Sequence, residues 1–446
     1  MTKDRLTFTL MDMGYKKAGP VQIYDERTTY DDGQIIPFPV QLAIVTHARM
    51  LRDVKHGEVY QRKSQELIEA WTNSELPSRI KGNASCVSEP NAFQYSLFND
   101  LLDVPFPGPA NPKFTFIDLF AGIGGFRMAF QNLGGQCVFS SEWDAQAQKT
   151  YFANYGEVPF GDITSEYTKT FIPDNFDILC AGFPCQAFSL AGKRLGFEET
   201  RGTLFFDVAE ILRRKQPKAF FLENVKGLAI HDKGKTLKTI LNTLDEIGYI
   251  VPKPEIVNAM YFGVPQHRER IYIVGFRKDL GIKQEDFSYP EQKEVTKHFI
   301  DIREKEPVPS KYYLSTTYVD TLIRHKARHE SKGNGFGYAI VGDNEVANAI
   351  VVGGMGRERN IVIDTRQTDL TPTTRIKGEY NKDGWRRMTP REWGALQGYP
   401  VYDNGDGSPV FVIPVADASA YKQFGNSVAV PAIQATAEQL LKLINL

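Results

Sequence analysis

Cys185 stands in the stretch GFPCQAFS, directly after the apolar run FDILCA. A thiol at that place could be a core side chain, a metal ligand or a nucleophile. A free thiol with a pKa of about 8.5 is only a few per cent thiolate at neutral pH, so nearby N–H donors or cations need to lower that pKa by only about one or two units. Its position beyond the end of an apolar run favours a nucleophile, whereas Cys180, inside the run, is best explained as a small core side chain.

The other cysteines and the histidines give no pattern typical of a metal site. The chain has only four cysteines, with no C-x-x-C pair and no His-x-x-x-His nearby. This spacing argues against both a zinc site and a framework of disulfides. We therefore predict no bound metal.

A carboxyl group and an amide follow the next apolar run, in AFFLENV, at Glu223 and Asn224. An acid there is either a loop residue or a placed proton donor, and the sequence alone leaves both open. Beside a thiol, a proton donor would suit nucleophilic addition assisted by protonation. Further along, QHRER puts Gln266, Arg268 and Arg270 on alternate residues, hence on one face of a strand, with a solvated edge as the alternative.

A third group of residues could bind a cofactor that contains adenosine. The stretch FIDLFAGIGGF runs from a strand into a glycine-rich turn and a helix start, where the backbone can approach a ligand closely and offer N–H donors. Glu142, at the next strand end, could accept from ribose hydroxyls, and Trp143 beside it could stack on adenine. Asp162 could accept from the adenine amino group or cap a helix instead. A packing turn and a core tryptophan are the alternatives, but the three features in this order favour S-adenosylmethionine or a nucleotide.

These residues need a scaffold that brings strand ends together. From Phe114 to about Phe276, short apolar strands alternate with helical patterns such as GTLFFDVAEILRR. Strands buried on both faces, with helical crossovers, predict an α/β fold with a doubly wound, Rossmann-like parallel sheet. Ligands bind at the carboxyl ends of such strands, which is where the three groups of residues lie.

Composition divides the chain into four parts. Residues 1–110 hold two stretches of helical spacing and a proline-rich linker, and we predict a helical N-terminal extension. Residues 111–278 form the predicted ligand-binding sheet domain. Residues 279–388 are loop-rich and partly basic and form a smaller domain. Residues 389–446 are predicted to return to the sheet domain through an amphipathic helix.

The charge and hydropathy of the whole chain limit its partners. The 446 residues carry a formal net charge of -1, so any nucleic-acid surface must be local. No run approaches the roughly 18 apolar residues of a membrane span, and the start lacks the apolar stretch of a signal peptide. We expect a soluble, cytoplasmic protein with no membrane partner.

In the order of its motifs, the chain resembles the DNA cytosine C5-methyltransferases. The resemblance covers about Lys113 to Leu446 and is carried by DLFAGIGGF, SEWD, GDIT, GFPCQAFS, RGTLFFD, FLENVKGL, QHRER, REWGALQGYP and YKQFGNSVAVP. The variable region, with SKGNGFGY, NAIVVGGMGRERNIVID and TDLTPTTRIKG, looks most like that of the HpaII-type enzymes, which modify the inner cytosine of CCGG. The resemblance implies the modification enzyme of a restriction-modification system.

The resemblance also implies a mechanism with a covalent cysteine adduct. The Cys185 thiolate would add to carbon 6 of cytosine while Glu223 assists protonation at N3, so that carbon 5 can take the methyl group of S-adenosylmethionine. Arg270, supported by Arg268, would hold the cytosine O2, and Asn224 would orient the acid or the base. The implied cofactor contacts are Phe120, Gly122, Glu142, Trp143, Asp162, Ile163, Pro184, Leu204, Asn426 and Ser427.

The implied partner is double-stranded DNA, from which the target base must be rotated out by about 180°. Loops of residues 279–388, as a target-recognition domain, would offset that cost, and Arg357, Arg359 and Arg366 are candidates for guanine or phosphate contacts. A cognate restriction endonuclease is expected as a functional companion without direct contact, and a monomer on DNA is favoured. Two alternatives stay open: a catalytically silent DNA-binding or regulatory relative, and an RNA cytosine methyltransferase.

Overall fold

Two helices come first in the part of the chain that the structure describes. The computed structural model describes residues 36, 38–52, 54–73, 104–184, 204–333, 335, 337–353, 356–368 and 378–446. The two helices are α1 (Phe38–Met50) and α2 (Glu58–Asn73). Leu42 and Ile44 of α1 are fully buried in the same apolar cluster as the central sheet. The Tyr60 hydroxyl of α2 donates to the carbonyls of Val138 and Phe171, at 2.8 and 3.0 Å. The helical prediction for the N-terminal part is confirmed, and these helices pack directly on the sheet.

A seven-stranded sheet follows. Its first four strands are β1 (Phe114–Leu119), β2 (Gly135–Ser141), β3 (Ile178–Gly182) and β4 (Ala219–Val225). They pair in parallel in the order β2, β1, β3, β4. The strands are buried along most of their length because other elements cover both faces of the sheet. The predicted α/β fold with a Rossmann-like sheet is confirmed.

The last long strand of the sheet runs the other way. β8 (Glu269–Arg277) is antiparallel to β4, and it also pairs with the short strands β5 (Tyr249–Ile250) and β6 (Glu255–Asn258). The sequence predicts a parallel sheet throughout, so the structure differs from the prediction here. An apolar run marks a buried strand without giving its direction. No crossover helix joins β6 to β8, so the chain returns antiparallel.

Helices cover the sheet on both sides. They are α3 (Gly125–Asn132), α4 (Ala145–Tyr155), α5 (Glu166–Lys169), α6 (Leu204–Lys215) and α7 (Lys235–Glu246). Successive residues of a strand face opposite sides, so Phe116 belongs to one large apolar cluster and Ile117 to the other. Cys180 is fully buried in the same cluster as Phe116, as its place in an apolar run predicts.

A smaller, loop-rich region follows β8. It contains α8 (Thr316–Glu330), β9 (Ala347–Asn348), β10 (Ile361–Ile363) and β11 (Trp385–Arg387). β10 and β11 form an antiparallel pair, and Val319 and Leu322 of α8 share a small apolar cluster with Ile361. β9 pairs in parallel with β7 (Gln266–His267), which directly precedes β8. The smaller region is therefore joined to the sheet through the QHRER segment.

The last helices of the chain return to the region that contains the seven-stranded sheet. The last helices are α9 (Pro390–Leu396), α10 (Asp417–Asn426) and α11 (Val430–Leu443). α11 packs beside α3, where the Asn132 amide donates to Gln434 Oε1 at 3.2 Å. Among the helices of the described ranges, none has the length and apolar character needed to cross a membrane.

Candidate active site

Glu223 and Arg270 form an ion pair at the carboxyl edge of the sheet. Glu223 is the fifth residue of β4 and lies beside Gly182, the last residue of β3. The Arg270 Nε is 3.1 Å from Glu223 Oε1, and only 8% of Glu223 is exposed. Burial raises the pKa of Glu223, while Arg270 and Arg268 act in the opposite direction. Burial therefore makes the protonated form of Glu223, which can donate a proton, easier to reach than in an exposed carboxyl group.

Asn224 ties this strand to the segment that leads to the predicted nucleophile. Its Nδ2 donates to the Phe183 carbonyl at 2.9 Å, and its Oδ1 accepts the Val225 N–H at 2.8 Å. Pro184 follows as an exposed residue at the same edge. Cys185 lies outside the described residues, so its predicted role stays a prediction. Asn224 thus holds the backbone only two residues before Cys185.

Arg268 differs from Arg270 in what it contacts. Its guanidinium donates to three backbone carbonyls, those of Ile350, Gly425 and Ser427, at 3.1, 3.3 and 2.6 Å. Burial and the neighbouring Arg270 lower the pKa of Arg268 to about 9, which leaves it protonated at neutral pH. Arg268 therefore joins the sheet to the smaller region and to the end of α10.

Two buried glutamines extend the same set of contacts. Gln266 donates to the Leu396 carbonyl at 2.8 Å and accepts the Ile350 N–H at 3.0 Å. Gln397 donates to the Phe424 carbonyl at 2.8 Å and is fully buried. Gln397 was not among the predicted site residues, although it stands in the motif REWGALQGYP. A long polar side chain inside the otherwise largely apolar stretch WGALQGYP is the signal that could have marked it.

The glycine-rich turn after β1 is shaped to leave room for a ligand. Phe120 and Gly122 both have a φ of 56°, and a Cβ added to Gly122 would meet no atom within 4 Å. The Gly122 N–H donates to Glu142 Oε2 at 2.8 Å, and the Asp144 N–H donates to Glu142 Oε1 at 2.7 Å. Glu142 therefore lies beside open space with both oxygens fixed and with lone pairs left over.

The residues around that space differ in how far they are exposed. Trp143 is 79% exposed, which leaves a large aromatic face free. Asp162 is exposed, and its Oδ1 accepts the Thr164 N–H at 2.9 Å, while Ser165 is the residue that caps α5. Ile163 is buried. The helix-cap alternative for Asp162 is therefore wrong, because Ser165 fills that position.

The residue that follows α10 lies against the start of α3. Ser427 follows α10, and its Oγ is 2.7 Å from the Tyr399 hydroxyl. A Cβ added to Gly125 would fall 3.0 Å from Ser427 Oγ, so this serine touches the start of α3. Asn426 beside it is exposed. Leu204, half-buried, is the first residue of α6.

The predicted DNA contacts divide into two kinds. Arg357 and Arg359 are exposed. Arg366 is exposed as well, but its guanidinium is already bonded to Asp364 and to the carbonyls of Glu304 and Lys305. In the described ranges, no group of three His, Cys, Asp or Glu side chains could hold a metal ion.

Comparison with known proteins decides the family. The sequence profile of the C-5 cytosine-specific DNA methylases matches residues 114–442. The chain belongs to this family. As a C-5 cytosine-specific DNA methylase, it is a DNA (cytosine-5) methyltransferase, and the predicted resemblance is confirmed.

Curated relatives and solved structures of this DNA methylase agree. The chain is 69% identical to Type II methyltransferase M.HpaII of Haemophilus parainfluenzae over 361 residues, which cover 80% of this chain and 97% of that relative. It is 40% identical to Type II methyltransferase M.HhaI of Haemophilus parahaemolyticus over 337 residues, which cover 74% of this chain and 95% of that relative. The crystal structure of S. pombe Dnmt2 methyltransferase has a TM-score of 0.54 at 20% identity and covers 75% of this chain and 100% of its own. That structure supports the fold alone.

Proposed function

We propose that this DNA methyltransferase transfers a methyl group from S-adenosylmethionine to carbon 5 of the inner cytosine of CCGG in double-stranded DNA. It would act as the modification enzyme of a type II restriction-modification system. The observation that carries the proposal is the buried Glu223, paired with Arg270, at the edge of the sheet where the Phe183–Pro184 backbone leads to Cys185. The 69% identity to M.HpaII supports the choice of target.

The proposed reaction begins with the Cys185 thiolate adding to carbon 6 of cytosine. Glu223 gives its proton to N3, so that the electron pair is held in the ring and carbon 5 becomes nucleophilic. Carbon 5 then takes the methyl group as the bond between that group and the donor sulfur breaks. A base removes the carbon-5 proton, the thiolate leaves carbon 6, and N3 returns its proton to Glu223. Arg270, fixed against Glu223, would hold the cytosine O2. Asn224 would hold the end of β4 and the Phe183–Pro184 segment in a fixed position relative to each other.

The turn after β1 fits the proposed cofactor. When bound, S-adenosylmethionine supplies a methyl group activated by the sulfonium. Glu142 has free lone pairs for ribose hydroxyls, Trp143 has an exposed face for adenine, and Asp162 has a carboxylate for the adenine amino group. Phe120, Gly122 and Ile163 would line the same space, and Pro184, Leu204, Asn426 and Ser427 would close it. The open volume above Gly122 is consistent with this use.

Access to carbon 6 requires that the target base leave the duplex. Stacked DNA hides this atom, and rotating a base out costs a few kcal/mol in unstacking and unpairing. In the proposal, exposed arginines of the smaller region, Arg357 and Arg359, contact the DNA and offset part of that cost.

Protection of plasmid DNA tests the proposal. Plasmid from cells that express the protein should resist an endonuclease that cuts CCGG and stay open to endonucleases with other targets. Cys185→Ser should lose protection while binding S-adenosylmethionine with unchanged affinity. Cleavage of CCGG sites in plasmid from cells with active wild-type protein would overturn the target, and protection by the serine variant would overturn the nucleophile.

A further inference from the structure

The segment after Glu223 forms an exposed surface that the proposed reaction does not use. β4 ends at Val225, 40% exposed, and two short 3-10 turns, Lys226–Ala229 and His231–Gly234, lead to α7. Leu228 is fully buried and fixes this segment to the core, whereas Ile230 is 79% exposed. Val225 and Ile230 thus place two exposed apolar side chains on one short segment directly after Glu223.

Lysines surround this exposed isoleucine. The β4–α7 surface consists of Val225, Lys226, Ile230, Lys233, Lys235 and Lys238, all of which are exposed. Between 225 and 238 the chain has these four lysines and one acid, Asp232. Lys226 pairs with Glu269, at 2.8 Å, and Lys235 pairs with Asp232, at 4.0 Å. Within the described ranges, Lys233 and Lys238 have no acidic partner within ion-pair distance. The surface is therefore positive in a chain whose net charge is -1.

The charges on α7 run against its own helix dipole. Lys235 and Lys238 stand in its first turns, and Asp245 and Glu246 stand at its end. Cations are unfavourable near the positive N-terminal end of a helix, and anions are unfavourable near its negative end. Folding alone would favour the opposite arrangement. A polyanion bound at the start of α7 would reverse the balance, because it would meet the lysines and the positive end of the dipole together.

The position of the β4–α7 surface indicates which polyanion would bind there. Val225 lies two residues beyond Glu223, roughly 7 Å along the strand. Lys235 and Lys238 are three residues apart and share a helix face. Any duplex that delivers a cytosine to Glu223 must pass close to this edge. The DNA on which this family acts is such a polyanion.

We propose that the β4–α7 surface binds the phosphate backbone of duplex DNA beside the target cytosine, with Ile230 packed against the sugars of the same stretch. This inference rests on the proposed function, because it assumes that the target cytosine enters at Glu223. The lysines supply charge that is independent of sequence, and the isoleucine supplies an apolar contact that is independent of salt.

Salt dependence of DNA binding separates the two contributions. We would measure the dissociation constant of full-length protein for a duplex with one CCGG between about 50 and 200 mM salt. Lys235→Gln combined with Lys238→Gln should reduce the slope of log K against log salt by about 2, since each neutralised phosphate contributes about 0.9. Ile230→Ser should weaken binding at every salt concentration and leave the slope unchanged.

Matched controls come from the opposite edge of the sheet. Lys218 precedes β4 and Lys278 follows β8, where the Arg277 N–H bonds to the Lys218 carbonyl. Lys218→Gln combined with Lys278→Gln changes the charge equally and should leave the slope unaltered. Val59, 45% exposed on α2, provides a serine control for Ile230. Melting temperature and S-adenosylmethionine binding check that each variant is folded.

Two results would overturn the inference. An unchanged slope in the Lys235–Lys238 double variant would do so, and so would an equal loss of slope in the control pair. Protection of CCGG by the same wild-type preparation is measured in parallel. If the wild-type protein gives no protection, the proposed function is overturned. If protection is intact and the salt slope of the double variant is unchanged, only the proposed role of the β4–α7 surface is overturned.

Discussion

At the scale of single residues, the two arginines of QHRER have different surroundings. Arg270 is paired with Glu223, and the guanidinium of Arg268 bonds to three backbone carbonyls of the described residues. Glu223 and Asn224 could be predicted to lie at the carboxyl edge of the sheet, because they end an apolar strand. Arg270 could not be predicted to meet them, because it lies at the start of β8 and reaches that edge only since β8 runs antiparallel to β4. The role of Arg268 could not, because its partners Ile350 and Ser427 are 82 and 159 residues away along the chain.

We expect Glu223→Gln to slow methyl transfer by about 10²- to 10⁴-fold with little change in cofactor affinity, because an amide cannot give a proton to N3. Burial raises the pKa of Glu223. The proton that it donates is present below that raised pKa and is lost as the pH rises through it. The ratio of wild-type to variant rate should therefore fall with rising pH. Single-turnover rates across the pH range measure it, and a ratio that is constant or rises would contradict the assignment.

Arg268→Lys should act on structure and cofactor binding rather than on chemistry. A lysine cannot reach three carbonyls at once, and each buried carbonyl left unpaired costs about 1–3 kcal/mol. We expect a lower free energy of unfolding and a higher KM for S-adenosylmethionine, since the backbone at Asn426 and Ser427 is no longer held. Arg270→Lys is the comparison, and it should lower kcat with a smaller effect on stability. The opposite pattern in urea unfolding and steady-state kinetics would reverse the two roles.

At the scale of elements, the helices and strands could be predicted more easily than the elements with which they pair or pack. Periodic apolar residues predict α1 and the strands of the sheet. The direction of β8 and the site where α1 and α2 dock depend on contacts between residues far apart in sequence. The Tyr60 hydroxyl, for instance, bonds to carbonyls 78 and 111 residues away. Local periodicity carries no information about such pairings.

Tyr60→Phe should lower the free energy of unfolding by about 1–3 kcal/mol, because it leaves the buried carbonyls of Val138 and Phe171 without this donor. Tyr338→Phe is a suitable control, since the Tyr338 hydroxyl has no hydrogen bond to any described residue. Urea unfolding of both variants gives the comparison. Equal effects of the two substitutions would show that the Tyr60 hydroxyl does not fasten α2 to the sheet.

At the scale of the whole molecule, the N-terminal helices and the sheet share one core. A single apolar cluster contains Leu42 of α1, Leu119 of β1 and Leu212 of α6. The family profile begins at residue 114, so α1 and α2 precede the part of the chain that it matches. These helices nevertheless complete one face of the sheet.

We therefore expect the amides of α1 to be protected from hydrogen exchange to the same degree as those of the sheet. Amides of residues 42–45 should exchange at rates close to those of the central strands β1 and β3, because opening of α1 would expose the shared core. Exchange followed by mass spectrometry under native conditions gives both rates. Amides of α1 that exchange orders of magnitude faster than the strands would show that the N-terminal helices open as a separate unit.

The carboxylate of Glu142 has a thermodynamic consequence. Gly122 and Asp144 clamp its two oxygens through backbone N–H groups, at 2.8 and 2.7 Å. The side chain has already lost its rotational freedom, a loss worth about 0.5–1.5 kcal/mol for a flexible side chain ordered on binding. A nucleoside that binds to Glu142 would therefore cost no further conformational entropy of this side chain. Calorimetry of such a ligand should accordingly show an entropy of association less unfavourable than that of a variant in which the clamp is loosened.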